Sequence, residues 1–179
     1  CHRNELKIIG DHNVQNALAA AAISYFSGIE AETIHESLLA FGGVPHRIEY
    51  CGEIGGVKFY NDSKGTNVDA AVIALKAIQK NILLIAGGDE FDELIENFPG
   101  RVKHMILLGR DGKLLAEAAE RHGFKDYSFA PHMEECVKNA FAMAKPGDTV
   151  LLSPACASWD MYDNFEQRGD HFKTCVKRL

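Results

Sequence analysis

Apolar positions along this chain follow two rhythms, first a helical one and then an alternation of short strands with helices. Val14, Ala17, Leu18, Ala21 and Tyr25 recur at helical spacing and predict an amphipathic helix over 12–26, with Gly28 as its stop. A second helix is expected over 31–41, ending at Gly42 and Gly43. Val44-Pro45 then breaks the helical pattern and marks a domain boundary. Beyond it the spacing predicts a hairpin over 46–62 that turns at Gly55-Gly56. Helices over 67–78, 113–122, 133–144 and 167–178 interleave with strands over 82–86, 104–108, 127–130 and 149–152. That succession is built of βαβ units. The continuous apolar runs ILLIA, MILL and VLL suit parallel strands covered on both faces. The expected fold class is therefore α/β, a Rossmann-like, open, mostly parallel sheet with helices on both faces, preceded by a helical segment over 1–43. No internal repeat or low-complexity segment interrupts it.

Composition narrows the function classes. With 46% hydrophobic and 25% charged residues the chain reads as a soluble globular protein. A formal charge of −6 argues against a nucleic-acid backbone or an anionic membrane as partner, because both reward a basic face. No apolar run approaches the roughly 20 residues of a membrane span and no signal-peptide pattern opens the chain, so a cytoplasmic location is expected. The five cysteines, Cys1, Cys51, Cys136, Cys156 and Cys175, are scattered and never in a C-x-x-C arrangement. They suggest reduced thiols rather than a disulfide framework, and no zinc site. The histidines show neither H-x-x-x-H nor H-E-x-x-H spacing, so no metal ligands are assigned.

In an open parallel sheet, ligands sit beyond the carboxyl ends of the strands. Those ends carry NDSKGTN after the hairpin, GGD after ILLIA, GRDG after MILL and SPACAS after VLL. GRDG needs no more than a tight-turn explanation. SPACAS is different, since small residues let backbone amides approach a ligand and the following helix offers its N-terminal dipole to an anion. Arg47, Asp62 and Lys64 supply a guanidinium, a carboxylate and an ammonium, a set suited to phosphates and a ribose hydroxyl, although a surface salt bridge would also account for them. Asn13 and Asn16, three residues apart at a helix start, could meet an adenine edge; the competing explanation is a helix cap with a solvated asparagine. A catalytic thiol at Cys156 lacks a neighbouring base. SKGT at 63–66 is not a phosphate loop, and both G-x-x-x-x-G-K-[ST] and G-x-G-x-x-G are absent from the chain.

HNVQNALAAAA, PHRIEY, NDSKGTN, LIAGG and LSPACASWDMYDNFEQRGDHF occur in the order and at the spacing found in the Mur ligases. The last of these most resembles the branch of that family that adds D-glutamate. The resemblance covers nearly the whole chain. It implies that 1–43 is the tail of a central ATPase domain and 44–179 the C-terminal domain. It also implies an activity: ATP-dependent ligation of D-glutamate to UDP-N-acetylmuramoyl-L-alanine through an acyl phosphate, with Mg2+, in peptidoglycan precursor synthesis. By similarity Asn13 and Asn16 are adenine contacts, and Arg47, Asp62 and Lys64 are ribose and phosphate contacts, with Lys64 and Arg47 in the catalytic role. Thr66, Ser158, Trp159 and Phe165 correspond to the D-glutamate site. The family's phosphate loop and its UDP-binding domain have no counterpart here, so the chain alone is expected to be inactive, and a monomer.

One departure stands out. After Gly87-Gly88 the family carries a short loop with a Lys or Arg for the distal carboxylate of D-glutamate, whereas Asp89 here runs into Glu90-Phe91-Asp92. Two other functions remain open at this stage. One is a ligase like folylpolyglutamate synthase, against which the SPACASWD segment argues. The other is a non-catalytic α/β module that binds a nucleotide or an amino acid.

Overall fold

The alternation that begins after Pro45 builds a six-stranded sheet whose central strands are apolar on both faces. The structure, a computed structural model, describes residues 1–87, 92–109, 112–157 and 161–179. The chain forms two compact units, Cys1–Val44 and Pro45–Leu179.

In the first unit a 3-10 turn at Arg3–Glu5 precedes α1 (Asp11–Phe26) and α2 (Ala31–Ala40). Gly10, at φ 93°, caps α1 without a side chain. Asn13 is thus inside the first turn rather than the cap, and its amide donates to the Ile9 carbonyl at 2.8 Å. The amphipathic reading of α1 is only partly realised: Ala17 is buried, but Leu18, Ile23, Tyr25 and Phe26 are exposed.

The second unit opens with the hairpin β1 (Glu49–Ile54) and β2 (Val57–Asn61). Ile54 pairs with Val57 across Gly55 and Gly56, which have φ of 58° and 79°. Two successive positive φ values make the two-residue turn that suits strand twist, and glycine takes them without a Cβ penalty. There follow α3 (Val68–Ile78), β3 (Ile82–Ala86), α4 (Asp92–Glu96), β4 (Val102–Leu108), α5 (Gly112–Arg121), β5 (Tyr127–Ala130), α6 (Met133–Met143), β6 (Thr149–Leu152) and α7 (Phe165–Val176). The short α4 was not predicted, β4 starts at Val102 rather than His104, and α7 starts at Phe165 rather than Gln167. Asn164 sets that start by accepting from the Gln167 amide at 2.7 Å.

Sheet order is β1-β2-β6-β3-β4-β5, with β1 antiparallel to β2 and every other pair parallel. Contacts join α3 to α4 and α4 to α5, and separately α6 to α7, so the helices form two layers. Right-handed crossovers require this, because the chain moves outward from β2 through β3 and β4 to β5 and then returns to β6. Phe59, Leu83, Ile85, Ile106, Val150 and Leu152 of the sheet pack with Met133, Val137, Ala140, Phe172 and Val176 of α6 and α7. β6 is followed by α7 on one face, whereas its neighbours β2 and β3 are followed by α3 and α4 on the other. The chain therefore diverges on both sides of the β6 end, which is where a parallel sheet opens a crevice.

Gly169 is what lets α7 approach. A Cβ there would lie 2.8 Å from Asn61 Nδ2 and 3.0 Å from Asn61 Oδ1, and would press on the His46 ring. Replacing an unconstrained helix glycine by alanine stabilises by about 1 kcal/mol. Here the sign should reverse. Gly169→Ala is expected to cost about 1–3 kcal/mol through overpacking, read as a lowered urea midpoint; a raised midpoint would remove this account of α7 docking.

Candidate functional site

Two loops meet at the carboxyl ends of β2 and β6. The first, from Asp62 to Thr66, is turned back on itself by Gly65 N donating to Asp62 O at 2.8 Å and Thr66 N to Lys64 O at 2.9 Å. Ser153 to Ala157 form the second. Ala155 N donates to Gly65 O at 3.1 Å, and Gly87 N donates to Pro154 O at 3.0 Å, so the end of β3 is tied in as well. Gly65 is needed for closeness: a Cβ there would sit 2.5 Å from Asp62 Oδ2 and 3.2 Å from Ser153 Oγ.

Arg168 projects from α7 into this junction and is buried. Its Nε donates to Ser63 Oγ at 2.9 Å, and its terminal nitrogens donate to Ser63 O at 2.8 Å, Cys156 O at 3.1 Å and Ala157 O at 3.3 Å. A planar guanidinium presents donors in a fixed fork, and here the fork spans both loops. Ser63 completes the tie, since its hydroxyl donates to Phe165 O at 2.8 Å and its amide to Asn61 Oδ1 at 3.0 Å. Sequence reasoning missed Arg168, Ser63, Asn61, Ser153 and His46. The one local sign was Gly169, a helix-interior glycine that costs stability unless close packing needs it; it marks a close approach and does not single out Arg168.

Asp62 is buried beside this tie. Its Oδ1 accepts from Ile48 N at 3.1 Å and its Oδ2 from Ser153 Oγ at 2.8 Å. Burial pushes its carboxyl up to about 6, against the opposing pull of the Ser153 hydroxyl, the Ile48 amide and the charges of Arg47 and Arg168. The loop that supplies Ile48 is itself unusual. His46 and Ile48 have φ of 63° and 45°. A β-branched residue at positive φ costs on the order of 1–3 kcal/mol and persists only where the surroundings enforce it. Here Asp62 holds Ile48, while Asn61 Nδ2 donates to His46 Nδ1 at 3.0 Å and to Glu49 Oε2 at 3.1 Å. Arg47, between the two strained residues, is exposed.

The predicted site residues fall as follows. Arg47, Asp62, Lys64, Thr66 and Phe165 gather at the β2 end and the α7 start. Lys64 and Thr66 are exposed, and Lys64 Nζ stands 5.8 Å over the Phe165 ring, whose other neighbour is the His46 ring at 6.0 Å. Ser158 and Trp159 lie outside the described residues, as do Gly88 to Phe91, where the family's cation-bearing loop was expected. Asn13 is half-buried and Asn16 exposed, both in the first unit. Cys156 accepts a long contact from Arg168 at 3.9 Å, and all five thiols are unoxidised.

A family profile described as "Mur ligase, glutamate ligase domain" matches residues 46–156. The chain belongs to the Mur ligase family. Among its relatives, the UDP-N-acetylmuramoylalanine--D-glutamate ligase of Thermoanaerobacter sp. (strain X514) is 52% identical over 98% of this chain and 40% of that protein. The proteins of the same name from Alkaliphilus metalliredigens (strain QYMF) and Clostridioides difficile (strain 630) are 48% and 43% identical, each over 99% of this chain and 40% of theirs. This Mur ligase chain therefore spans about 40% of the length of the curated relatives it matches. The solved UDP-N-acetylmuramate-alanine ligase of Thermotoga maritima superposes with a TM-score of 0.74 at 18% identity, over 97% of this chain and 39% of that one. Folylpolyglutamate synthase of the same organism gives 0.63 at 17% identity, over 84% and 37%. At these identities the superpositions establish the shared α/β fold.

The Asp62 environment makes a pH prediction. Its folded pKa lies above that of an unfolded aspartate, near 3.9, so its contribution to stability is complete below about pH 4 and is lost as pH rises through about 6. Asp62→Asn keeps an acceptor for Ile48 and lets Ser153 accept instead of donate. The melting temperature of Asp62→Asn relative to the parent should therefore climb between pH 4 and 6 and then level; a constant difference across that window would contradict the assignment.

Proposed function

We propose that this chain supplies the D-glutamate site and part of the ATP site of an enzyme that joins D-glutamate to UDP-N-acetylmuramoyl-L-alanine during peptidoglycan precursor synthesis. One observation carries the reading: identity of 43–52% with relatives bearing that ligase name, over matches that cover 98–99% of the chain. Folylpolyglutamate synthase resembles this chain in fold alone, and no observation favours a module that only binds.

In this proposal 1–43 is the tail of the central ATPase domain and 44–179 is the C-terminal domain. ATP phosphorylates the alanine carboxylate of the UDP-linked acceptor, and the amine of D-glutamate displaces phosphate from the resulting acyl phosphate. No side chain here needs to act as a nucleophile. Arg47 and Lys64, exposed cations on neighbouring loops, neutralise phosphate charge, a contribution of preorganised electrostatics. Asp62 holds the loop that presents Arg47, and in this reading it meets a ribose hydroxyl through a second lone pair of an oxygen already bonded to Ile48 N or Ser153 Oγ. Asn13 and Asn16 read the adenine edge. Thr66 and Ser158 offer hydroxyls to the D-glutamate carboxylates, Trp159 belongs to the same site, and Phe165 is the wall that fixes the pose. The two oxygens of Asp62 are already engaged, so a hard cation such as Mg2+, which needs oxygen ligands, is expected to be held by ATP phosphates and the part of the enzyme represented in the relatives' remaining length. Among the described residues no helix is long and apolar enough to cross a membrane, and the reading places the reaction in the cytoplasm with a monomeric enzyme.

The test is phosphate release by the longer protein carrying this chain, with ATP, Mg2+ and UDP-N-acetylmuramoyl-L-alanine, offering D-glutamate, L-glutamate or meso-diaminopimelate. Release that depends on D-glutamate is expected; release with L-glutamate and a folate acceptor instead would overturn the reading. Thr66→Ala and Ser158→Ala should each raise KM for D-glutamate by about tenfold or more, the worth of a hydrogen bond to a charged group, with KM for ATP little changed. Lys64→Ala should lower kcat by about a hundredfold.

A further inference from the structure

On the α6–α7 side of the sheet, well separated in sequence from the strand-end loops, three potential metal ligands converge. Glu134 is in the first turn of α6, while His171 and Cys175 are four residues apart on α7 and so share one helix face. His171 Nε2 lies 2.8 Å from Glu134 Oε1, and one ligand atom from each of the three residues falls within 4.8 Å of the others. The imidazole is oriented from its far side by Tyr162, whose hydroxyl lies 2.9 Å from Nδ1. Beside the cluster is a cavity of about 530 Å³ lined by His132, Glu134, Tyr162 and His171 among others.

We propose that Glu134, His171 and Cys175 form a binding site for a borderline-soft divalent cation, Zn2+ or Co2+, with water or His132 in the fourth position. The chemistry of the donors selects the metal: thiolate plus imidazole plus a single carboxylate disfavours Mg2+ and Ca2+ and suits tetrahedral zinc. Bonds of about 2.0–2.3 Å at tetrahedral angles put ligand atoms about 3.3–3.6 Å apart, so the cation enters by parting the His171–Glu134 contact by about half an ångström and by drawing in the atoms that now stand up to 4.8 Å apart. Tyr162 supplies the supporting contact that ligating histidines have: its hydroxyl accepts from Nδ1–H once Nε2 binds the metal, which fixes the tautomer. Binding transfers the Cys175 thiol proton to solvent and leaves the thiolate on the metal, with no change in oxidation state. The cation would join α6 to α7, the helix that carries Arg168. Spacing rules could not find this set because Glu134 is 37 positions away from His171.

The test is a titration of the full 179-residue chain with Co2+, in a Cys1→Ser background that removes the exposed thiol at the first residue. A near-ultraviolet sulfur-to-cobalt charge-transfer band and the visible bands of tetrahedral cobalt should grow to a stoichiometric end point, be bleached by Zn2+ and be indifferent to Mg2+. Cys175→Ser should abolish the charge-transfer band. Cys175 is buried, so the exposed side of the site gives the independent arm: His171→Ala, its fold checked by circular dichroism, should weaken Co2+ binding at least tenfold, and Glu134→Gln should weaken it similarly. Zn2+ should raise the melting temperature of the parent and not that of His171→Ala. Absence of the band in the folded parent, or a band undiminished in Cys175→Ser or His171→Ala, overturns the site.

Discussion

Arg168 sends one guanidinium into the gap between two loops that belong to different strands, and most of the strand-end geometry follows from satisfying it. Its donors meet three main-chain carbonyls and a hydroxyl, from Ser63 on one side and Cys156 and Ala157 on the other. A buried cation left without such acceptors would cost several kcal/mol, so the loops are held wherever their carbonyls can reach it. The carboxylate of Asp62 sits close enough to feel that charge and in turn holds Ile48 in a backbone conformation that a β-branched residue otherwise avoids. The exposed side chains of Arg47 and Lys64 thus stand on a scaffold whose rigidity comes from the buried residues beneath them.

The fit of α7 is the second half of the same constraint. Arg168 reaches its partners only because Gly169, the next residue, lets the helix backbone lie against Asn61 and His46. Length and bareness are therefore paired: a long cation spans to the loops while an absent side chain lets the helix come near enough. His46 and Asn61 are themselves part of the packing, bonded to each other and to Glu49, so the approach of α7 and the shape of the strained 46–48 loop are decided together.

Much of the architecture was legible because the chain writes it in runs and breaks. ILLIA could hardly be other than a covered strand, and the paired glycines at 55 and 56 mark the hairpin turn in the sequence itself. α4 escaped because one short turn of DELIE has too few residues to show a period, and its acidic ends read as loop. At the site, the residues that carry charge to the surface, Arg47 and Lys64, were readable from their loop. Arg168 was not, since a charged residue within a helix full of Glu, Gln, Asp and Lys reads as part of a solvated face. Its burial depends on Ser63, 105 positions earlier, and no local pattern encodes that distance.

Sheet order has a bearing on how the domain comes into being. β6, between β2 and β3, is the last strand in the chain and yet occupies the middle of the sheet. Until it arrives, β2 and β3 each expose a row of unpaired backbone donors and acceptors, and the two-stranded and three-stranded pieces have no common edge. Thr149–Leu152 is thus the segment that pairs with both pieces, and the continuity of the sheet rests on its four residues. The same strand carries Ser153 to Asp62, so the sheet and the strand-end site depend on one segment.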